Sequence, residues 1–166
     1  MTPSMIETLA AGIHETWRAS ATKEGWKMQP QLDRPYAELS EIDKENNRAA
    51  ARRIPQILAL AGLGITDENQ SSSTAEPSAA EIRAHLELHL ERLSEAEHKG
   101  WMKQRLDNGW RYGESRDDAQ KVHPMIAPYA GLPEKEKDKD RSSVRHFPEM
   151  VERAGYRIVW LNGRET

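Results

Sequence analysis

Apolar residues recur at helical spacing through the first part of the chain. The first helix is expected to begin within residues 2–4, since Pro3 suits a first helical turn. Its inward positions follow one another every three or four residues: Ile6, Leu9, Ala10, Ile13, Trp17 and Ala21. Gly25 should end this helix, because glycine readily adopts the left-handed conformation that closes many helices. His14 and Trp17 are three residues apart and are therefore predicted to share one helix face.

The next two helical stretches carry their own start and stop signals. A second helix is predicted to begin after Ser40, which can serve as its N-cap. Its inward stripe consists of Ile54, Ile57, Leu58 and Ala61. Pro55 lies within this stretch and is expected to kink the helix or restart it. A longer helical run follows over residues 78–108, where Ser94 and Glu97 match a capping box that would split it in two.

Three other segments have non-helical or strongly charged patterns. Residues 110–112 and 156–161 alternate between apolar and polar side chains, so we expect two short strands that pair with each other. Residues 66–80 contain no large apolar side chain and have the composition of a flexible linker. Residues 134–141 mix acids and bases at close spacing, which predicts a solvated helix face with its own ion pairs.

Parts of the sequence occur twice. The set His14, Trp17, Gly25 and Trp26 recurs as His98, Trp101, Gly109 and Trp110, each 84 residues later (98 − 14 = 84). A second set recurs 93 residues later: Pro35, Tyr36, Leu39, Glu41, Lys44, Arg48, Arg52, Pro55, Ala61 and Gly62. The chain is therefore interpreted as a tandem duplication whose second copy has nine extra residues (93 − 84 = 9). The predicted boundaries are 1–65 for the first copy, 66–80 for the linker and 81–166 for the second copy.

Composition narrows the class of protein. Each copy within the 166 residues would be marginal alone, so the two are expected to share one core. A net charge of −3 argues against wholesale binding to nucleic acid. The chain has no cysteine, no apolar run near the ~20 residues of a membrane span and no secretory signal. We therefore expect a soluble cytoplasmic protein without a membrane or nucleic-acid partner.

Signatures of catalysis and of metal binding are missing from the sequence. There is no P-loop, dinucleotide-binding glycine set, nucleophile elbow or zinc-protease motif, so we expect no enzymatic activity and no required cofactor. His85 and His89 have a spacing that suits a metal ion, but no third ligand is evident and no metal site is predicted. His123 is interpreted as a loop anchor. Arg48 and Arg141 are expected to form ion pairs within their own helices.

An ordered series of motifs gives the second copy a family resemblance. The series runs from His98-x-x-Trp101 and Gly109-Trp110 to the segment 121–129, which contains His123-Pro124, then to Leu132-Pro133 and Asp140-Arg141. It resembles the ryanodine receptor repeat, or RyR domain, and the first copy resembles a degenerate member without the His-Pro segment. The resemblance implies a mainly α fold with a few short β-strands. It also implies tandem repeats related by a pseudo-twofold axis, with two helices per repeat.

The resemblance also implies a ligand. Channel proteins of this family can hold an adenine nucleotide in the cleft between tandem repeats, with its ring stacked by tryptophans of the His-x-x-Trp helices. The residues that match or neighbour those motifs are His14, Trp17 and Arg18 in the first copy and His98, Trp101 and Arg105 in the second. The tryptophans would stack the base, the histidines would make polar contacts, and the arginines would bind phosphate.

A second interpretation of the same residues stays open. Large aromatic side chains at helical spacing commonly pack in a core. If Trp17 and Trp101 do so, the protein is better described as a protein–protein interaction or scaffold domain with no small-molecule ligand. Trp26 and Trp110 each follow a helix-ending glycine and are expected to be structural.

Overall fold

A computed structural model describes residues 1–67 and 76–161, which are mainly helical, as predicted. In chain order these residues form α1 (Pro3–Glu24), α2 (Glu41–Ala59), β1 (Leu63–Asp67), α3 (Ala79–Leu88), α4 (Leu90–Asp107), β2 (Arg111–Tyr112), β3 (Val122–His123), α5 (Glu134–Arg153) and β4 (Tyr156–Trp160). Short 3-10 turns, Tyr36–Glu38 and Tyr129–Gly131, precede α2 and α5. No helix among the described residues is long and apolar enough to cross a membrane.

The helix ends follow local sequence signals. The hydroxyl of Thr2 accepts a hydrogen bond from the backbone N–H of Met5 and caps α1, and the hydroxyl of Ser40 caps α2 in the same way. Gly25 follows α1 with a φ of +76°, in the left-handed region. Each of these groups satisfies backbone donors or acceptors that the helix itself leaves free. The predicted N-cap at Ser40 and the predicted stop at Gly25 are thus confirmed.

The long helical run of the second half is divided at a different residue from the one expected. The break falls at His89, which has a non-helical φ of −108°, and Ser94 lies inside α4 with no exposed surface. Ser78 and Glu81, at the start of α3, form the capping box instead. The prediction of a break at Ser94 is therefore wrong, because that side chain packs into the core. The second half has three helices, whereas the family resemblance implied two per repeat.

Both helices that contain an internal proline are continuous. Pro55 lies inside α2 and Pro148 lies inside α5. Proline removes one backbone donor and crowds the preceding turn. A helix of about 20 residues keeps its other hydrogen bonds and is held in place by packing, so it can accommodate one proline. The predicted restart of the helix at Pro55 does not occur.

The strands form two separate pairs. β1 and β4 are antiparallel, and Ile65 lies opposite Ile158 at the centre of the ladder. β2 and β3 are parallel, with Tyr112 opposite His123. The prediction that residues 110–112 pair with residues 156–161 is therefore wrong. β1 follows α2 and β4 follows α5, and both of these helices pack on α1 and α4, which brings the two distant strands together.

One hydrophobic core joins the two halves of the chain. Helix α1 packs on α2 and α5, and α4 packs on the same two helices. The completely or almost completely buried side chains come from both halves: Leu9, Ile54, Leu58, Leu63, Leu86, Leu93, Val144, Phe147 and Val151. The expected shared core is present, and it fixes α1 and α4 relative to each other.

Both ends of the predicted linker, residues 66–80, lie in secondary-structure elements. Thr66 and Asp67 belong to β1, and residues 79–80 belong to α3. Pro77 is buried beside the start of α3. The central part of the predicted linker, residues 68–75, lies outside the described residues.

Candidate functional site

An open cleft with a volume of about 1280 Å³ lies between the two halves of the chain. Residues of α1, α2, α4 and α5 line it, together with residues 26–32 and 116–125. Four of the five tryptophans of the chain are among the lining residues: Trp17, Trp26, Trp101 and Trp110. A site lined by several aromatic rings and a few charged groups suits a planar organic ligand.

Trp101 lies in the part of the cleft formed by α4. Its ring stacks against His98 with centroids 5.6 Å apart and meets the edge of His123 at 4.9 Å. Trp101 is partly exposed and does not belong to the main core cluster. The indole is therefore held by its neighbours while part of its surface faces the cleft.

Arg105 lies between two of the cleft tryptophans. Its guanidinium carbon is 5.5 Å from the ring centroid of Trp101 and 5.2 Å from that of Trp110, which are cation–π distances. Within residues 1–67 and 76–161 the side chain makes no hydrogen bond and no ion pair, and its Nε atom is buried. Burial, with smaller contributions from Arg116 and Arg53, lowers the pKa of Arg105. A guanidinium that is desolvated in this way gains strongly from an anionic partner.

Trp17 has a different environment from Trp101. It packs against the main hydrophobic core and contacts the ring of His146 at 5.2 Å. It lines the cleft on one side and a small cavity of about 30 Å³ on the other. Trp17 is thus part of the core as well as of the cleft wall, and the two proposed stacking residues are not equivalent in packing.

His14 and His98 each anchor a neighbouring segment through the same ring atom. The Nε2–H of His14 donates to the carbonyl of Arg34, and that of His98 donates to the carbonyl of Ala127, each over 2.7 Å. Both rings are buried, so contact between either histidine and a ligand stays a prediction. Nδ1 of His98 already faces the carboxylate of Asp140 at 3.5 Å. Burial opposes protonation of His98, but hydrogen bonds to Asp140 and Ala127 outweigh it and raise its pKa.

Arg18 does not line the cleft. Its guanidinium lies 3.1 Å from the carboxylate of Glu15 and 3.9 Å from that of Asp33. The phosphate-binding role predicted for Arg18 therefore stays a prediction that this cleft geometry does not support. Arg105, the arginine predicted to bind phosphate in the second copy, does line the cleft.

Three lining residues were assigned other roles from the sequence. Trp26 and Trp110 were expected to be structural, yet both line the cleft, and Trp26 is 43% exposed. His123, interpreted as a loop anchor, does accept a hydrogen bond at Nδ1 from the backbone N–H of Met125, but its ring also packs against Trp101. For His123 the sequence signal was its place in the segment where the second copy is nine residues longer than the first.

Two matching polar clusters hold the segments that precede α2 and α5. In the first, Arg48 and the hydroxyl of Tyr36 both donate to Glu7. In the second, Arg141 and Tyr129 donate in the same way to Glu91. Each arginine also pairs with acids of its own helix, as predicted, and adds this carboxylate from another helix.

The second cluster perturbs the titration of its members strongly. Hydrogen bonds from Arg141, and more weakly from Tyr129, lower the pKa of Glu91 to about 2. Burial and the hydrogen bond to Glu91 raise the pKa of Tyr129 to about 12. The second cluster thus keeps Glu91 as a carboxylate and Tyr129 as a neutral phenol, and Arg105 takes no part in either cluster.

The histidine pair considered as a metal site lies outside the cleft. His85 donates from Nε2 to the carbonyl of Ala61, and its ring meets His89 edge-on at 4.9 Å. Among residues 1–67 and 76–161, no group of three histidine or carboxylate side chains is arranged to hold a metal ion.

Comparison with protein-family models identifies the domain type of the second half of the chain. The family model described as RyR domain matches residues 73–160, which is more than half of the chain. The matched region includes α3, α4, α5 and β2, β3 and β4, and with them the part of the cleft that contains Trp101, Arg105 and Trp110.

Proposed function

Because the chain belongs to the RyR domain family, we propose that it is a non-enzymatic ligand-sensing module that binds an adenine nucleotide in the cleft. The nucleotide is the ligand implied by the family resemblance. The base would stack on Trp101, with Trp17 on the other side of the cleft, and the phosphate would pair with Arg105. We place the protein in the cytoplasm and assign it no catalytic step and no required cofactor.

We also infer that two repeats build the cleft and are related by an approximate twofold axis. Three sets of contacts support this inference. The clusters around Glu7 and Glu91 contain equivalent residues, and the carbonyls bonded by His14 and His98 lie 93 positions apart. Ile65 and Ile158, which are also 93 positions apart, lie opposite each other in an antiparallel pair. An antiparallel pairing of equivalent residues is what a twofold axis through that pair would produce.

The observation that carries the ligand proposal is the unpaired guanidinium of Arg105. Most other arginines near the cleft have carboxylate partners: Arg48 with Glu7, Arg53 with Glu97 and Arg116 with Asp118. Burying a charge without a partner is costly, so such groups are commonly retained for binding. An anion at Arg105 would remove that cost and gain charge-assisted hydrogen bonds.

The aromatic walls of the cleft supply the second part of the proposal. Trp101 and Trp17 both expose part of their surface to the same cleft. Stacking of a nucleobase on an aromatic side chain contributes about 1–3 kcal/mol per base. A planar base that carries a phosphate therefore fits the chemistry of this cleft better than a purely apolar or purely ionic ligand does.

The proposal is tested by titrating the protein with adenosine, AMP, ADP and ATP while intrinsic tryptophan fluorescence is recorded. We expect a saturable quench together with a raised melting temperature, since ligand at 100 times its dissociation constant stabilises a fold by about 2.7 kcal/mol. Arg105→Gln should weaken nucleotide binding about tenfold or more, because it removes a charge-assisted contact.

Arg83→Gln is the matched control, because Arg83 is an exposed arginine of α3 that does not line the cleft. It should leave the affinity unchanged. No binding of any of these compounds up to millimolar concentration would overturn the proposal. That result would favour the alternative, a protein interaction or scaffold domain without a small-molecule ligand.

A further inference from the structure

The charged residues of the cleft are unevenly distributed between its two sides. One stretch of the second half, residues 105–121, contributes three cations, Arg105, Arg116 and Lys121, but only one carboxylate, Asp118. The remainder of the lining is predominantly acidic, with six carboxylates, Glu41, Asp43, Glu45, Glu97, Glu136 and Asp140, and three cations, Lys27, Arg48 and Lys139. The cleft therefore has one basic end, next to Trp101 and Trp110.

The cations at the basic end are held loosely. Arg116 pairs with Asp118 at 2.8 Å, but both side chains are about half exposed, at 52% and 53%. An exposed ion pair of this kind contributes little and can exchange partners easily. Lys121 donates to the backbone carbonyl of Asn108 and has no carboxylate partner in the described part of the chain. Arg105 and Lys121 thus have no carboxylate partner among the described residues, and Arg116 can readily leave Asp118.

His123 adds a neutral donor to this end of the cleft. Its Nδ1 atom accepts a hydrogen bond from Met125, so the proton of the neutral ring lies on Nε2. Within residues 1–67 and 76–161 no hydrogen bond occupies that Nε2–H group. Burial first, and then Arg116 and Arg105, lower the pKa of His123. His123 therefore faces these cations as a neutral ring and can donate to an oxygen acceptor.

We propose that Arg105, Arg116, Lys121 and His123 form a binding site for a polyphosphate, so that the ligand of this cleft is a nucleoside diphosphate or triphosphate. This inference rests on the proposed binding of a nucleotide, and it specifies the charge of that nucleotide and its orientation in the cleft. Two or more phosphates match the excess of cations, whereas a nucleoside has nothing to pair with them. The acidic remainder of the lining would repel the phosphates and so fixes which end of the ligand lies at Arg105.

The insertion in the second copy explains why only one end is basic. Arg116, Lys121 and His123 all lie between β2 and the end of β3, in the region where the second copy is nine residues longer than the first. The corresponding connection in the first half, from Trp26 to Pro35, is shorter and contributes Lys27 as its lining cation. An approximately symmetric fold thus has a directional binding site.

The test compares adenosine, AMP, ADP and ATP by calorimetric titration with the wild-type chain and with the double variant Arg116→Gln/Lys121→Gln. In the wild type, affinity should rise about tenfold or more from AMP to ADP. The double variant should lose this gain while its affinity for adenosine is unchanged. Lys27→Gln, on the opposite side of the cleft, should keep the full dependence on phosphate number.

The outcomes separate this inference from the broader proposal. Equal affinity for all four compounds would overturn the polyphosphate site while leaving nucleotide binding intact. A phosphate dependence that persists in the double variant would also overturn it, because the phosphates would then lie elsewhere. If the wild type bound none of the four compounds, the proposal of nucleotide binding itself would be overturned. Melting temperatures recorded in the absence of ligand identify any variant that has simply failed to fold.

Discussion

Arg53 of α2 and Glu97 of α4 form a bidentate ion pair that joins the two halves of the chain beneath the cleft. The Nε and Nη2 atoms of Arg53 donate to the two carboxylate oxygens of Glu97 over 3.1 and 2.8 Å. Only 13% and 10% of the two side chains are exposed. Gly100, one turn after Glu97, leaves room for the arginine side chain, because a Cβ atom there would overlap it. The pair therefore sets how closely α2 and α4 approach.

We predict that Glu97→Gln destabilises the protein by about 3–5 kcal/mol, because it leaves a buried guanidinium without a charged partner. The double variant Arg53→Met/Glu97→Met should recover most of this loss, since apolar side chains of similar size can replace a buried ion pair. Urea unfolding of Arg53→Met, of Glu97→Met and of the double variant measures the coupling. If the double variant were as unstable as the sum of the two single changes, the pair would not act as a unit.

The two tryptophans of the His-x-x-Trp motifs should respond differently to truncation. Trp17 packs on the core, so Trp17→Ala is expected to cost about 2–4 kcal/mol of stability. Trp101 is outside the core cluster, so Trp101→Ala should cost about 1 kcal/mol of stability. It should weaken nucleotide binding by the contribution of one stacked base, about 1–3 kcal/mol or roughly 5- to 150-fold. Thermal unfolding and nucleotide titration of the same samples distinguish the two effects.

Trp101→Phe is the control for Trp101→Ala, because it retains an aromatic face and should keep measurable binding. Unfolding of Trp101→Ala at ambient temperature would show that this residue is a core residue. That result would favour the interpretation of the protein as an interaction domain.

The elements that the sequence predicted well depend on short-range chemistry. Ser40 caps α2 and Gly25 ends α1 because each acts on backbone groups within a few residues. The break at His89 and the pairing of β4 with β1 depend on which distant surfaces meet, and local spacing carries no information about that. Ser94 satisfied a capping pattern, yet it is buried inside α4 because the helix packs on that face.

The residues of the candidate site likewise fall into those that the sequence identified and those that depend on the fold. Sequence motifs identified Trp17, Trp101 and Arg105, which all line one cleft. Arg18 is not the repeat equivalent of Arg105, because the 84-residue offset pairs Arg105 with Ala21 (105 − 84 = 21). Nearby acids engage Arg18 instead. The sequence did not identify Trp110 as a residue of the cleft wall, because its contact with Arg105 depends on the turn that follows α4.

Gly12 should be intolerant of even a methyl group. A Cβ atom at this position of α1 would lie 2.8 Å from the backbone oxygen of Met150 in α5, so the two helices would have to separate. We expect Gly12→Ala to destabilise the protein by about 1–3 kcal/mol, since overpacking forces backbone shifts. Gly131→Ala is the control, because no atom lies within 4 Å of a Cβ there. Equal melting temperatures of the two variants would show that α1 and α5 can separate without cost.

The hydrogen bonds between Arg141 and Glu91 should make stability depend on pH in acid. Glu91 accepts two bonds of 2.7 Å from Arg141, which lower its pKa from an ordinary value of 4.5 to about 2. Between these two pH values the unfolded chain binds a proton at Glu91 that the folded chain does not, so stability falls as the pH falls through this window. The contribution of Glu91 is therefore complete above pH 4.5 and lost near pH 2.

We therefore expect Glu91→Gln to be less stable than the wild type at pH 7, by no more than about 1 kcal/mol because the side chain is largely exposed. The difference should shrink as the pH is lowered from 4.5 and vanish near pH 2. Denaturant unfolding at several pH values measures it, with Glu152→Gln, an exposed residue of α5, as the control. A difference that stayed constant from pH 7 to pH 2 would mean that Glu91 stabilises the fold through its shape and neutral hydrogen bonds, and that its pairing with Arg141 contributes nothing.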